Sequence, residues 1–186
     1  MKNREHIDET PATPESVWAA FRETDKLIKE LSAKIDQVST EIKNVNDTVG
    51  GMQNSNGMFA EEYFFNSFNQ GNTSFFGEKF NDIEPNVKGI KPGFKDEYDI
   101  VLINGKSVAI VEVKYRARLE DVSQVIKKAN TFRVNFPDYQ NHRVYLGFAA
   151  LISSQRVEQE CIKEGIAVVK QVGDTVIIND KHLKVF

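Results

Sequence analysis

The 186-residue chain has one cysteine, five prolines, eleven glycines and a formal net charge of only −3. A single thiol, Cys161, excludes an intramolecular disulfide framework and any structural zinc site built on two or more thiolates. So few prolines and glycines exclude a fibrous or disordered chain. The apolar runs are short, and stretches such as 108–111 and 148–152 fall far below a bilayer span. The first stretch, 1–13, is a polar tail without the apolar centre of a signal peptide. One thiol and no leader lead to the expectation of a cytoplasmic protein with no membrane contact. With 24 basic against 27 acidic residues, there is no global electrostatic mark of a nucleic-acid binder.

What is present falls into two parts. Thr13 can cap a helix and Pro14 suits its first turn. Apolar residues then step by four and three: Val17, Phe21, Thr24, Ile28, Leu31, Ile35, Val38, Ile42, Val45 and Val49. All but Thr24 are apolar, and nearly everything between them is polar. Such a seam is too narrow to stabilise a lone helix in water, so it needs a partner. Two partners fit the pattern: the chain's own globular part, or identical chains in a coiled coil over 14–50. The narrow stripe favours self-association. Gly50-Gly51 is expected to end this helix, with 53–57 as a short hinge.

The second part, 56–186, has mixed periodicity. A helix with an aromatic face is expected over 58–68, two strands over 98–113, a helix over 121–132, a buried strand over 144–152, and a helix over 153–163. Two last strands, 166–170 and 175–178, flank Gly173-Asp174. Strands interleaved with helices in this length indicate one α/β layered domain. Gly71 to Ser74 and Gly89 to Gly93 read as turns and lack the pattern of a phosphate-cradling loop. Cys161 reads as a buried thiol of the helix 153–163.

The chemistry concentrates around Asn104-Gly105, a strong two-residue hairpin signal. With those two residues as the loop, Val101 pairs with Val108 and Asp99 with Ile110. Asp99, Ile110, Glu112 and Lys114 then share one face, with Glu112 diagonal to Asp99 at about 7–8 Å between backbones. The other face, carrying Ile100, Leu102, Ala109, Val111 and Val113, is apolar. Two acids converging there repel unless a cation joins them. Either they form a salt-bridge cluster with Lys114, or they hold a divalent metal, for which oxygen ligands favour magnesium or manganese. In the second case Lys114 can orient a water or help deprotonate it, and offset charge on a phosphate.

Asp99, twelve intervening residues and Glu112-Val113-Lys114, set across a hairpin and following an acidic helix, resembles the PD-(D/E)XK nuclease superfamily. The likeness covers about residues 57–150 and is nearest the branch of Holliday-junction resolvases and restriction-like endonucleases. Tyr98 stands where the literal motif has proline. The resemblance implies a restriction-endonuclease-like mixed sheet flanked by helices, here preceded by a long coiled-coil helix. It also implies a Mg2+- or Mn2+-dependent endonuclease acting on DNA. Asp99, Glu112 and the Val113 carbonyl would ligate the metal, and Lys114 would position the attacking water. Glu61 would complete the shell, with Glu62 of the same turn as the alternative. Gln124 and Tyr115 are accessory candidates. The competing reading is a non-catalytic coiled-coil scaffold carrying a nuclease-like domain.

From Lys114 to Arg143 the acidic bias reverses: seven basic residues face three acidic ones. Arg116, Arg118, Lys127, Lys128, Arg133 and Arg143 are therefore candidates for contact with a phosphodiester backbone. Tyr115, Tyr139 and His142 could stack on a base or sugar. His142 is also a candidate general base.

Overall fold

The computed structural model describes residues 13–70, 74–172 and 175–186. The polar tail before residue 13, most of the turn 71–74 and the Gly173-Asp174 turn lie outside the described residues. Contacts divide the chain into two units, with the division between Gly51 and Met52.

Helix α1 runs from Pro14 to Gln70. Thr13 caps it: its hydroxyl oxygen accepts from the Ser16 backbone N–H at 3.2 Å. The expected stop at Gly50-Gly51 and the 53–57 hinge are not formed. Each glycine costs about 1 kcal/mol against alanine in a helix. No proline follows to break the hydrogen-bond ladder, so two glycines alone do not end it. In the first unit the whole seam lies open, with its apolar residues from Val17 to Val49 at 41–62% exposure.

The second unit is built on a six-stranded sheet in the order β3-β4-β5-β6-β7-β8. The strands are β3 (Asp82–Gly89), β4 (Asp96–Ile103), β5 (Ser107–Arg116), β6 (Arg143–Ile152), β7 (Ala167–Val172) and β8 (Thr175–Asn179). A separate two-stranded ribbon joins β1 (Ser74–Phe75) and β2 (Glu78–Lys79). β3, β4 and β5 form an antiparallel meander, β5, β6 and β7 run parallel, and β8 returns antiparallel on β7. Helix α2 (Leu119–Asn135) links β5 to β6, and α3 (Gln155–Glu164) links β6 to β7. The expected mixed α/β layering is therefore present.

The sheet buries both faces. Val101, Val108, Ile110, Val144, Leu146 and Phe148 pack with Val122, Val125, Ala129 and Phe132 of α2 and Val157 and Cys161 of α3. The opposite face, with Ile100, Leu102, Ala109, Val111 and Val113, packs against Ala60, Phe64 and Phe68 of α1 and against Phe76 and Phe80. Ser154 caps α3, and Gly165 ends it in the left-handed region at φ 79°.

Strand β3 carries no sequence signal for a strand because it is an edge. It contains Pro85, whose missing N–H is tolerated only where no ladder bond is needed, and Asn86 at φ 52°.

The β4–β5 register differs from the expected one by two residues: Val101 pairs with Ile110 and Ile103 with Val108. Asn104 does not enter the left-handed region. It stands first in the turn, and its Oδ1 accepts from the N–H groups of Lys106 and Ser107 at 2.9 and 2.7 Å. Its N–H donates to the Ser107 carbonyl, so Gly105-Lys106 form the centre of the turn. A shift of two keeps every β5 side chain on its expected face. It also moves Glu112 from a position diagonal to Asp99 to one directly across from it, one step beyond the last ladder pair.

Candidate active site

Asp99 and Glu112 are buried on adjacent strands. The alternation of β4 changes phase at Asp99: Ile100 and Leu102 belong to the α1-facing core, whereas Tyr98 joins Val101 in the other. Asn86 lies across from this point on β3 with its left-handed backbone. The irregularity turns the Asp99 carboxylate towards β5, where its Oδ2 accepts the Val113 N–H at 2.7 Å.

Glu112 meets two lysines. Lys114, two residues on and on the same face, donates to its Oε1 at 2.6 Å. Lys128 of α2 makes an ion pair with Oε2. Lys128 also donates to the Glu97 carbonyl and lies 5.8 Å from the centre of the Tyr98 ring. It is buried, whereas the Lys114 side chain stays 40% exposed and can meet a ligand.

Burial drives the Asp99 carboxyl up to about 7, and the neighbouring Glu112 charge adds to this. Lys128, the Val113 N–H and Lys114 act in the other direction. Burial alone would lower Lys114, but the Glu112 carboxylate, its hydrogen bond and the Asp99 charge hold the ammonium above its usual range. Lys114 is thus a cation and a donor rather than a base.

Glu61 is half-buried on α1 and Glu62 beside it is exposed. Burial raises the Glu61 carboxyl; Glu97 and Glu112 push it further up, and Lys114 and Lys128 pull it down. Met58, Glu61, Glu62 and Phe65 of α1 line a cleft of about 300 Å³ with Pro85, Asn86 and Asp99. All of these residues belong to the second unit.

The remaining candidates scatter. Gln124 and Lys127 are exposed on α2, and Tyr115 is half-buried against the α1-facing core. Arg116 is exposed near the Lys114 end of β5, and nearby Arg118 pairs with Glu120 at 3.4 Å. Arg143 is aligned with Ser107 at the opposite end of β5, where it pairs with Glu78 at 2.9 Å. Arg133 is engaged by the backbone carbonyls of Gln140, His142 and Phe186. His142 packs edge-on against Tyr139 at that same far end. The geometry therefore brings together Asp99, Glu112, Lys114 and Lys128, with Glu61 in the same field. It leaves Arg133, Arg143 and His142 at the other end of the strands.

Sequence reasoning missed Lys128 as the partner of Glu112. A signal existed: Val122, Val125, Ala129 and Phe132 mark the buried stripe of α2, and Lys128 falls on it at helical spacing.

The atoms themselves test the fit of a divalent cation. Glu112 Oε2 is buried, accepts no hydrogen bond and has Lys128 as its counter-charge. Asp99 is a second buried carboxylate with a raised pKa. These are hard oxygen donors of the kind magnesium and manganese take. Among the described residues, no group of three or more His, Cys, Asp or Glu side chains is already arranged as a ligand shell. The fit is one of donor chemistry, and a cation would compete with Lys128 for Oε2.

No protein-family model and no curated protein matches this chain. Among solved structures, a repair endonuclease from Pyrococcus abyssi overlaps 49% of it at 17% identity and a TM-score of 0.37. An EndoMS–double-stranded DNA complex overlaps 48% at 19% identity and a TM-score of 0.36. The chain spans 39% and 36% of those two proteins. The chemistry of this chain therefore rests on its own side chains. No described helix is long and apolar enough to cross a membrane.

Proposed function

We propose that this chain is a metal-dependent endonuclease that hydrolyses DNA phosphodiester bonds and assembles through the 14–50 seam of α1. The observation that carries this reading is the convergence of Asp99, Glu112 and Lys114 on neighbouring strands beside a cleft that also holds Glu61. Two buried acids at this range are costly unless cations attend them. A fold that keeps them puts them to use.

Asp99, Glu112, the Val113 carbonyl and Glu61 would hold a magnesium or manganese ion. Such an ion supplies Lewis-acid stabilisation of phosphate charge and acidifies a coordinated water. Lys114, kept protonated by Glu112, donates to the attacking water or to a non-bridging phosphate oxygen and offsets charge as it builds. Glu61 adds its carboxyl to the same cleft. Lys128 holds Glu112 in place from behind. The open seam of α1 holds identical chains together, so that two or more sites act on one duplex.

A second reading has its own support. Both oxygens of Glu112 are already met by lysines, and no ligand shell is preassembled among the described residues. This favours a non-catalytic scaffold whose acids and lysines are a structural cluster. Incubation of the purified chain with supercoiled plasmid in Mg2+ or Mn2+ separates the two. The nuclease reading expects nicking that EDTA abolishes and that Lys114→Ala lowers by about a hundredfold or more. No cleavage of supercoiled, linear, single-stranded or branched DNA, with Mn2+ binding equal in wild type and Glu112→Gln, establishes the scaffold.

A further inference from the structure

The hairpin tip between β3 and β4 has the sequence Lys88-Gly89-Ile90-Lys91-Pro92-Gly93-Phe94-Lys95. It holds three lysines and no acid. Ile90 is 79% exposed and Phe94 47% exposed. Two large apolar side chains exposed on one short loop offer apolar surface for a contact.

The loop is also held in one shape. Lys91 to Phe94 form a turn closed by the Phe94 N–H donating to the Lys91 carbonyl at 3.0 Å. Pro92 supplies the fixed φ of its second position, and Gly93 the left-handed third position at φ 82°. Asn135 of α2 clamps both ends of this turn. Its Oδ1 accepts from the Lys91 N–H at 3.0 Å, and its Nδ2 donates to the Phe94 carbonyl at 2.7 Å. Gly89 makes room for this amide, because a Cβ there would stand 2.3 Å from Asn135 Nδ2. Order of this kind presents the exposed side chains at low entropic cost on binding.

The tip is close to the candidate site along the strands. Gly89 pairs with Asp96, Lys88 with Glu97 and Val87 with Tyr98, and Asp99 is the next residue. Three residue steps at strand rise are roughly 10 Å.

We propose that the 88–95 tip is a preformed nucleic-acid finger, with Phe94 and Ile90 packing on bases or sugars and Lys91 and Lys95 on backbone phosphates of duplex DNA. The inference rests on the nuclease reading for the choice of partner. Three lysines without an acid fit a polyanion, and the two apolar side chains supply the stacking or wedging contact that lysines alone lack. Lys88 is partly engaged by Glu97 at 3.8 Å, which leaves Lys91 and Lys95 as the phosphate contacts.

The test is fluorescence anisotropy of a labelled duplex with the full chain in EDTA, so that binding is read without cleavage. Ile90→Ser/Phe94→Ser is expected to weaken binding about tenfold or more. Lys91→Gln/Lys95→Gln should lower the slope of log affinity against log salt by about two. Asn135→Ala keeps every contact group but frees the turn, and should weaken binding by a smaller factor. Ile177→Ser, an exposed apolar site on β8, serves as the unchanged control. Circular dichroism melts confirm that each variant folds.

Wild-type affinity in both double variants overturns the finger, as does wild-type failure to bind DNA. Loss of binding to phosphatidylserine vesicles with DNA binding intact also overturns it, in favour of a membrane contact. The two readings fail separately. Absent cleavage with the expected binding losses counts against the nuclease alone. Retained cleavage with unchanged binding counts against the finger alone.

Discussion

Lys128 of α2 reaches the sheet and pairs with Glu112 of β5 at its buried oxygen, while Lys114 holds the outer one. The inner lysine is buried, so its role is to position the carboxylate. Lys128→Met should destabilise the chain by about 3 kcal/mol, because Glu112 then keeps a buried charge with one partner fewer. Glu112→Gln combined with Lys128→Met should recover part of that loss. Urea unfolding of both single variants and the double gives the coupling, expected to exceed about 1 kcal/mol. Additive losses would show that the pair is not coupled.

Asp99 makes stability depend on pH in a defined direction. Its carboxyl is raised from 3.8 to about 7 in the folded chain. Between those values the folded state keeps a proton that the unfolded chain has released. The contribution of this group is therefore fully present below pH 3.8 and lost as pH rises through about 7. Asp99→Asn retains an acceptor for the Val113 N–H and removes the titration. In EDTA, the melting temperature of Asp99→Asn minus that of wild type should climb from pH 4 to pH 8. A flat or falling difference would contradict the burial of an uncompensated acid at this position.

The α1 seam is open in the single chain, with Ile28 and Ile35 at 55% and 56% exposure. Charge placed on one rung set should abolish the proposed assembly. Ile28→Asp/Ile35→Asp is expected to sediment as a monomer at concentrations where the full wild-type chain is an oligomer. A wild-type chain that is monomeric throughout would remove the assembly role. The second unit should keep its fold in either case, because its core draws on α1 only from Ala60 onward.

Phe64 is fully buried between α1 and the sheet. Phe64→Ala should cost about 3–5 kcal/mol in denaturant unfolding. A loss below 1 kcal/mol would mean that this part of α1 is not docked on the sheet in solution.

Element type was legible where local chemistry and tertiary demand agree. The apolar stripe of α2 and the unbroken apolar run of β5 from Val108 to Val111 each carry one signal only. Gly50-Gly51 misled because glycine raises the cost of a helix without forbidding it. Asn104 misled in register because asparagine favours turns in two ways: by adopting the left-handed region, or by accepting backbone N–H groups. Its side chain is occupied here with Lys106, Ser107 and the Lys79 carbonyl, which selects the second. Of the candidate site, Glu112 and Lys114 were readable because alternation along β5 survives a two-residue shift, and Asp99 because the hairpin sets it across from them, although β4 loses its alternation there. Glu61 was named only through the family resemblance, and Lys128 as the partner of Glu112 was not named at all, because both come from helices in other parts of the chain. Which helix face meets which strand depends on packing that no local pattern encodes.

One helix carries both Lys128 and Asn135. They are seven residues apart, so they lie on nearly the same face, about 10 Å apart along the axis. The first braces the acid of the candidate site and the second clamps the exposed tip. Helix α2 is thus a common strut: tilting or sliding it by an ångström would shift both ends at once. The spacing between tip and carboxylate is therefore set by a helix repeat, whose length is fixed, and not by a loop, whose length can drift. Insertions within α2 should be far less tolerated than insertions of equal size at 180–181, where the chain is in a surface turn.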